Sequence, residues 1–517
     1  MPLRIVLESV CLARRDGRRT RRLGIRVPPL HATTSDPTPL AFLMDASPIP
    51  GIRSYRTPFT PPAPDLRQRR TGWRWGGCFS GGFPGRLLAV SLILFLAGCA
   101  EGEPEPLPVA ERGTPPAPLA TCPVEDEVTA APVDLEIREV AGGLEVPWAL
   151  APTPDGRVLV TERPGRIRVL SPDGLDPEPW MTLEVSDRDE GGLMGIALAP
   201  DFAATGHAYV MISVDQRDGE GWFSTQLRRV QLRLGLDVAP HRIAQVLRVT
   251  EVEGRGTDPR VILEGVPSGL LHAGGALAML PGGDLLISHG DAGIPPIAQV
   301  PDDLRGKLFR VPLDPTTGLP SRRTGPEVKA VGVRNSQGVA VMPDSASVLF
   351  IDHGPSGLVP EDRRQAKDEL NLLPLNGTTF GGAVGQAAGA PGPGNFGWPV
   401  EAGIHEEPIH TPPIVEWSPA VAPAGLTVMP VPGRDDRAWA FVTGLRGETL
   451  LRVELARDLA DTPSWSPICQ VELLDGEFGR LRAVTIHPDG GILVGTSNRD
   501  GRGRARNGDD RLLHLQL

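Results

Sequence analysis

Six times between residues 154 and 488 the chain turns through a Pro-Asp-Gly corner, or a relative of it, between two short apolar stretches. The instances are "APTPDGRVLVTE", "LAPDFAATGHAYVMIS", "AMLPGGDLLISHG", "AVMPDSASVLFIDHG", "TVMPVPGRDDRAWAFVTG" and "TIHPDGGILVGTSNRDG". Such corners reverse the chain between antiparallel strands, because Pro, Asp and Gly supply the backbone angles a tight turn needs. The strand after each corner is almost wholly apolar, the pattern of a strand covered on both faces. The corners recur at intervals of 46 to 87 residues, enough for one four-stranded blade with insertions of varying length. No linkers separate the repeats, which argues against an array of sandwiches, and an amphipathic helical period is nearly absent. The 62 Gly and 56 Pro are scattered, as turns require. The expected fold is all-β, a six-bladed β-propeller over residues 134–517.

The first hundred residues read as targeting. Arg86 precedes an eleven-residue apolar run, Leu87 to Ala97, which ends in Leu96-Ala97-Gly98-Cys99. Eleven residues are too short for a spanning helix but suit a signal-peptide core. The ending resembles a bacterial lipobox, in which Cys99 becomes the lipidated first residue; an ordinary signal peptide with a chance cysteine is the alternative. Residues 66–98 are thus expected to be a lipoprotein signal peptide. Residues 1–65, Arg- and Pro-rich without periodicity, are expected to be a mis-assigned or disordered extension. Residues 99–133 form a Pro/Glu-rich tether. The expected destination is the periplasmic side of the outer membrane or the cell surface, with a lipid anchor through Cys99. Of the five cysteines, Cys122 and Cys469 are the ones left in or near the folded domain, and an oxidising compartment would permit them to pair.

Charge narrows the partners. Residues 1–98 carry 15 Arg and no Lys against 5 acids, about +10, so a total of −11 leaves about −21 for the rest. Such a body has no electrostatic footprint for nucleic acid. In a propeller, loops from every blade meet at one mouth, so distant residues can build one site. Candidates fall near the ends of the repeats: Glu190, His272, Asp291, Arg334, Asn335, Gln337, Gly354, Pro355, Glu369, Asn395, Trp398, Arg446, Arg480 and Arg482. Each has a plain reading by itself. His272 could bond a backbone carbonyl, Asp291 could cap a turn, the "KDELN" acids could be a solvated patch, and the arginines could be surface groups. Segments 215–260 and 356–395, candidates for substrate-facing loops, look irregular.

The ordered series "GLEVPWALAPTPDGRVLVTERPGRIRVL", "EGGLMGIALAPDF", "HAGG", "GDAG", "GKLFRV", "VGVRNSQG", "DHGP", "DELN", "NFGWP", "VAPAGL" and "GRLRAV" runs from about residue 137 to the C-terminus. It resembles the soluble quinoprotein aldose dehydrogenases, the glucose/sorbosone dehydrogenase group, which are six-bladed propellers that use pyrroloquinoline quinone (PQQ). The resemblance implies PQQ- and calcium-dependent oxidation of an aldose to its lactone, with an external electron acceptor. It makes His272 the general base, Asp291 the acid that orients it, and Glu190 a group near the substrate, where relatives usually have glutamine. Arg334, in the catalytic and cofactor sets alike, would contact PQQ together with Asn335, Arg446, Arg480 and Arg482. Gly354 and Pro355 would hold Ca²⁺ through backbone carbonyls, and Glu369 with the Phe396 carbonyl a second calcium.

Two positions depart from the pattern: Arg446 stands where some relatives have lysine, and Ala276 where many have arginine. The small residues of "HAGGA" are expected to keep the channel mouth open so that the flat quinone can lie against the backbone. Two other functions stay open. A propeller lactonase would want a carboxylate-rich channel rather than arginines. A non-catalytic binding or scaffold propeller that has lost PQQ would not need His272, Asp291, Arg334, Arg480 and Arg482 together.

Overall fold

The computed structural model describes residues 119–122, 135–215, 242–321, 325–355, 367–375, 393–405, 408–458 and 464–517. The N-terminal extension, the signal segment, Cys99 and most of the tether lie outside the described residues. By internal contacts the chain divides into Met1–Gly102 and Glu103–Leu517, and all described residues belong to the second unit.

Six sheets form this unit, antiparallel but for the short strand Gly394–Asn395, which pairs in parallel at the edge of the third. Blade 1 begins with Pro147–Pro152, blade 2 with Leu193–Leu198 and blade 3 with Leu277–Met279. Blades 4, 5 and 6 begin with Gly338–Val341, Pro423–Val431 and Leu481–Ile486. Every Pro-Asp-Gly-type corner joins the first strand of a blade to its second, so the six repeats are the six inner hairpins. The second strands Val158–Glu162, Leu285–His289, Ser347–Asp352 and Ile492–Thr496 are buried at every position, because a neighbouring blade packs on each face. Among the described residues the helical turns are Phe202–Thr205 and Pro295–Gln299, both in connections. The segment expected to be irregular from 215 is partly regular: Arg242–Val252 and Arg255–Pro267 pair as a long outer hairpin of blade 2. Its alternating polar residues hid it, since an outer hairpin has one face in water.

Apolar side chains fill each of the six seams between blades. Trp148, Met211, Leu277 and Phe309 belong to one such cluster, and Trp417, Val442, Leu451 and Trp465 to another. The ring closes with Leu150, Val160, Leu493 and Leu512, which pack blade 6 on blade 1. Blade 6 takes its outer strand from the other end of the chain: Glu136–Ala141 pairs antiparallel with Leu512–Gln516. Cys122 and Cys469 are joined in a disulfide that spans 347 residues. Residues 119–122 thereby lie along the outer strand of blade 5, with Cys122 N–H donating to the Gln470 carbonyl at 3.2 Å.

Candidate active site

Within a blade, the start of the first strand lies beside the end of the second. Glu190, His272, Arg334 and Arg480 each precede or open a first strand, in blades 2, 3, 4 and 6. Asp291, Gly354 and Arg446 each follow a second strand, in blades 3, 4 and 5. Antiparallel pairing therefore collects all of them on one rim of the ring, which no local sequence pattern displays.

His272 and Asp291 form the centre. His272 Nδ1 is 2.6 Å from Asp291 Oδ1, and the Asp291 side chain is fully buried. Asp291 Oδ2 accepts the Trp398 indole N–H at 2.8 Å, and Oδ1 also accepts the Gly293 amide at 2.7 Å. Burial alone would raise the Asp291 carboxyl. The electrostatic attraction and hydrogen bond of His272, with help from Arg334 and the Gly293 amide, hold it below the usual carboxylate range instead. An ionised Asp291 can only accept, so Nδ1 carries the proton and the lone pair sits on Nε2. His272 itself has a left-handed backbone, φ 59°. Its amide donates to Glu190 Oε2 at 2.7 Å, and Glu190 Oε1 accepts from Arg502 at 3.1 Å. Burial would raise Glu190 too, but His272 and Arg502 outweigh it and keep the carboxyl lowered.

The small residues beside His272 answer to the protein's own backbone. A Cβ on Gly274 would lie 2.6 Å from the Gly290 nitrogen, and one on Gly275 would lie 2.8 Å from the Met194 sulfur. Gly274 N–H donates to Asn335 Oδ1 at 3.0 Å, so Asn335 spends its carbonyl on holding this loop. Close packing of blades 2, 3 and 4 thus accounts for the glycines without any appeal to a ligand. Ala276 is buried in the seam between blades 3 and 4, with Leu286 and Val339 in the same cluster.

On blade 6, Arg480 and Arg482 are buried rather than superficial. Asp500 Oδ2 lies 2.8 Å from Arg480 Nη2 and 3.9 Å from Arg482 Nη2. Arg480 also donates to the Leu445 carbonyl, and Arg482 Nη1 to Gln337 Oε1 at 2.8 Å. The Arg482 guanidinium faces Trp148 at 5.9 Å and Arg334 faces Trp398 at 5.2 Å. Burial lowers Arg482 to about 10, with Asp500 opposing. One carboxylate between two buried guanidiniums leaves net positive charge on blade 6, and Arg334 brings a third guanidinium to the same rim. That excess suits a flat, multiply anionic group. Arg446 is exposed, one residue beyond the Leu445 carbonyl that Arg480 holds.

The "DELN" acids are a buried cluster, not a solvated patch. Asp368 accepts the Gly354 amide at 2.9 Å and the Ala422 amide at 2.6 Å. Glu369 accepts the Gly403 amide at 2.6 Å and Asn371 Nδ2 at 3.2 Å. Asp352 accepts the amides of Arg334 and Asn335. Burial pushes Asp368 up to about 6 and Glu369 up to about 7. These carboxylates are hard oxygen donors of the type Ca²⁺ takes, and Arg334 is the cation that acts on Asp352 and Asp368. Phe396 packs its ring edge-on against Phe350 at 4.7 Å. The only group of three potential ligand side chains within reach of one another, among the described residues, is Cys122, Glu454 and Cys469; the disulfide accounts for it.

Four groups at the rim escaped sequence reading as actors. Asp500, His353, Asp352 and Arg502 are near candidates, yet only the fold shows what they touch. Asp500 had a usable signal: like Asp291, it follows the end of a second strand. His353 Nε2 donates to the Pro423 carbonyl at 2.6 Å, and burial lowers it to about 3, so it is neutral.

Comparisons with known proteins agree with this architecture. The profile described as Glucose / Sorbosone dehydrogenase matches residues 144–506. The aldose sugar dehydrogenase YliI of Escherichia coli is 25% identical over 406 residues, covering 72% of this chain and 92% of that protein. A Thermus thermophilus structure described as an oxidoreductase (glucose dehydrogenase) is 34% identical, with TM-score 0.57 over 74% of this chain and all of that one. The PQQ-bound aldose sugar dehydrogenase of Streptomyces coelicolor is 27% identical, with TM-score 0.54 over 75% of this chain and 99% of that one.

Proposed function

Because the chain belongs to the glucose/sorbosone dehydrogenase family, we propose that it oxidises the anomeric carbon of aldoses to lactones with PQQ and Ca²⁺, and passes the electrons to an external acceptor. The observation that carries this reading is the His272–Asp291 pair at 2.6 Å beside a buried arginine cluster. A proton acceptor thereby stands next to a place for an anionic, electron-accepting group.

The residues divide the work. His272 Nε2 accepts the proton of the anomeric hydroxyl, while Nδ1–H stays on Asp291. Ionised Asp291 fixes that tautomer and stabilises the imidazolium that forms, and Trp398 and Gly293 hold Asp291 in place. Glu190 fixes the His272 backbone. Arg334, Arg480 and Arg482 would hold the anionic PQQ, and Arg446 would offer a further cation at the edge. Asn335 acts through the Gly274 loop. Gly354 and Pro355 carbonyls would hold one Ca²⁺, and Glu369 with the Phe396 carbonyl another. When bound, PQQ supplies the two-electron sink for the hydride and Ca²⁺ polarises its oxygens. Export and lipid attachment at Cys99 belong to the same proposal, and the Cys122–Cys469 disulfide supports an oxidising compartment.

The test is reconstitution of the purified protein with PQQ and Ca²⁺, followed by dye reduction across a panel of aldoses. Sugar-dependent reduction that EDTA abolishes and Ca²⁺ restores is expected. Binding of PQQ without any sugar oxidation would overturn the enzymatic reading, and full activity in chelator would remove Ca²⁺.

A further inference from the structure

The loop after the second strand of blade 6, residues 497–511, sorts its charges by direction. Its three acids point inward: the side chain of Asp500 is 3% exposed, and Asp509 and Asp510 are buried. They frame the loop. Asp500 Oδ1 accepts the amides of Arg502 and Gly503, Asp509 Oδ2 accepts the Arg506 amide and Asn498 Nδ2, and Asp510 Oδ1 accepts the Asn498 amide. Its arginines 499, 502, 504 and 506 are exposed, whereas Arg511 at its end is half-buried and paired with Asp509 and Glu139. Arg499 and Arg506 donate to the carbonyls of Asp509 and Glu477, bonds that leave their charge in place. The outer face of the loop therefore shows four guanidiniums and none of the loop's own carboxylates, on a chain of net charge −11.

Position gives this face a meaning. Asp500 anchors the loop on Arg480, and Arg502 anchors it on Glu190, which holds the amide of His272. The loop thus runs from the arginines assigned to the quinone to the side of the base. Electron transfer out of a buried site is favoured where a partner can come closest. A cluster of like charges at such a mouth concentrates oppositely charged partners and speeds their arrival, by about 10- to 1,000-fold at low salt.

We propose that the arginine face of residues 499–506 is the docking surface for the electron acceptor, and that this acceptor is an acidic redox protein. The proposal rests on the sugar-oxidising reading above. Oxidation of one aldose to its lactone releases two electrons and two protons. Two one-electron acceptor molecules each take one electron, and the protons pass to solvent.

The probes are ferricyanide, a trianion, and hexaammineruthenium(III), a trication, with the PQQ- and Ca²⁺-loaded protein. Reduction of the loaded protein by sugar is followed separately from its reoxidation. The second-order rate constant for ferricyanide should fall steeply as ionic strength rises from about 10 to 500 mM, and that for the trication should not. In R499Q/R504Q/R506Q the ferricyanide constant should drop about tenfold at low salt and lose its salt dependence, with sugar-driven reduction unchanged. Because Arg499 and Arg506 also bond the backbone, R504Q alone is the second variant, expected to shift the constant in the same direction by a smaller factor. Redox-inert hexacyanocobaltate(III) should bind the protein calorimetrically even without PQQ, and less so in the triple variant.

An unchanged salt dependence in both variants would overturn the proposal. So would binding of anionic phospholipid vesicles through these arginines while acceptor kinetics stay indifferent to them, since the face would then serve a membrane. If no sugar reduces the loaded protein, the enzymatic reading fails instead, and hexacyanocobaltate(III) binding still decides whether this face captures anions.

Discussion

Arg502 and Glu190 are 312 residues apart in the chain and 3.1 Å apart across the mouth of the ring. Glu190 is largely enclosed and also holds the amide of His272, whereas Arg502 is mostly in water. A glutamine at 190 could accept the amide of His272 without needing a cation, so the glutamate and the arginine are best understood together.

The pair predicts a pH effect. Glu190 has a lowered folded-state pKa, so its contribution to stability is present above the ordinary glutamate value and is lost as pH falls through the folded one. Removing Arg502 leaves burial less opposed, and the carboxyl must rise. In R502Q the acid limb of kcat/KM should therefore move to higher pH, and E190Q/R502Q should not show that displacement. The other charged or titratable groups facing Glu190, namely His272, His353 and Arg482, are unchanged in both variants. Identical acid limbs in R502Q and the parent protein would refute the coupling.

His272→Ala should retain PQQ but lose turnover by about 10²- to 10⁴-fold, the range for a general base. Asp291→Asn should act in the same direction by a different route. The asparagine amide no longer demands a proton on Nδ1, so the imidazole can present the wrong tautomer. Equilibrium dialysis of PQQ beside steady-state kinetics separates these effects from loss of binding.

Replacing Arg482 by Met should weaken PQQ by about 1.5–3 kcal/mol for each charged hydrogen bond lost. The same change frees Gln337 Oε1 and leaves Asp500 to Arg480 alone. A fluorescence titration with PQQ checks it, and affinity equal to the parent would place the cofactor elsewhere.

The Cys122–Cys469 disulfide should matter to the whole ring, because it fixes the segment that precedes the domain to the outer edge of blade 5. Serine at both positions is expected to cost about 2–5 kcal/mol. Thermal unfolding with and without reductant reads this directly, since reductant should lower the parent Tm and leave the double variant unmoved.

Much of the fold was legible in the chain because a blade writes its inner hairpin twice, once as an apolar strand and once as a turn that needs Pro, Asp and Gly. The Arg242–Val252 and Arg255–Pro267 hairpin was not, since an outer strand alternates and carries many charges. At the site, His272 and Asp291 sit in short motifs that mark them. Asp500 acts on Arg480 and Arg482 within blade 6, while Arg502 reaches Glu190 of blade 2 across the mouth of the ring, a contact that no spacing along the chain encodes. The glycines of "HAGG" were visible as small, but the reason lies in the facing backbone of Gly290.

The strand Glu136–Ala141 has its partner in Leu512–Gln516, at the opposite end of the chain. During synthesis the earliest part of the domain must wait, unpaired, for the last few residues to emerge. Blades 1 and 2 draw their strands from contiguous chain, and blade 3 borrows only the short Gly394–Asn395 strand from beyond the start of blade 4, yet the annulus stays open until Leu512–Gln516 has emerged. A deletion of only the final strand would accordingly strip the edge of blade 6 and release the first strand with it, turning a loss at one terminus into a failure at both.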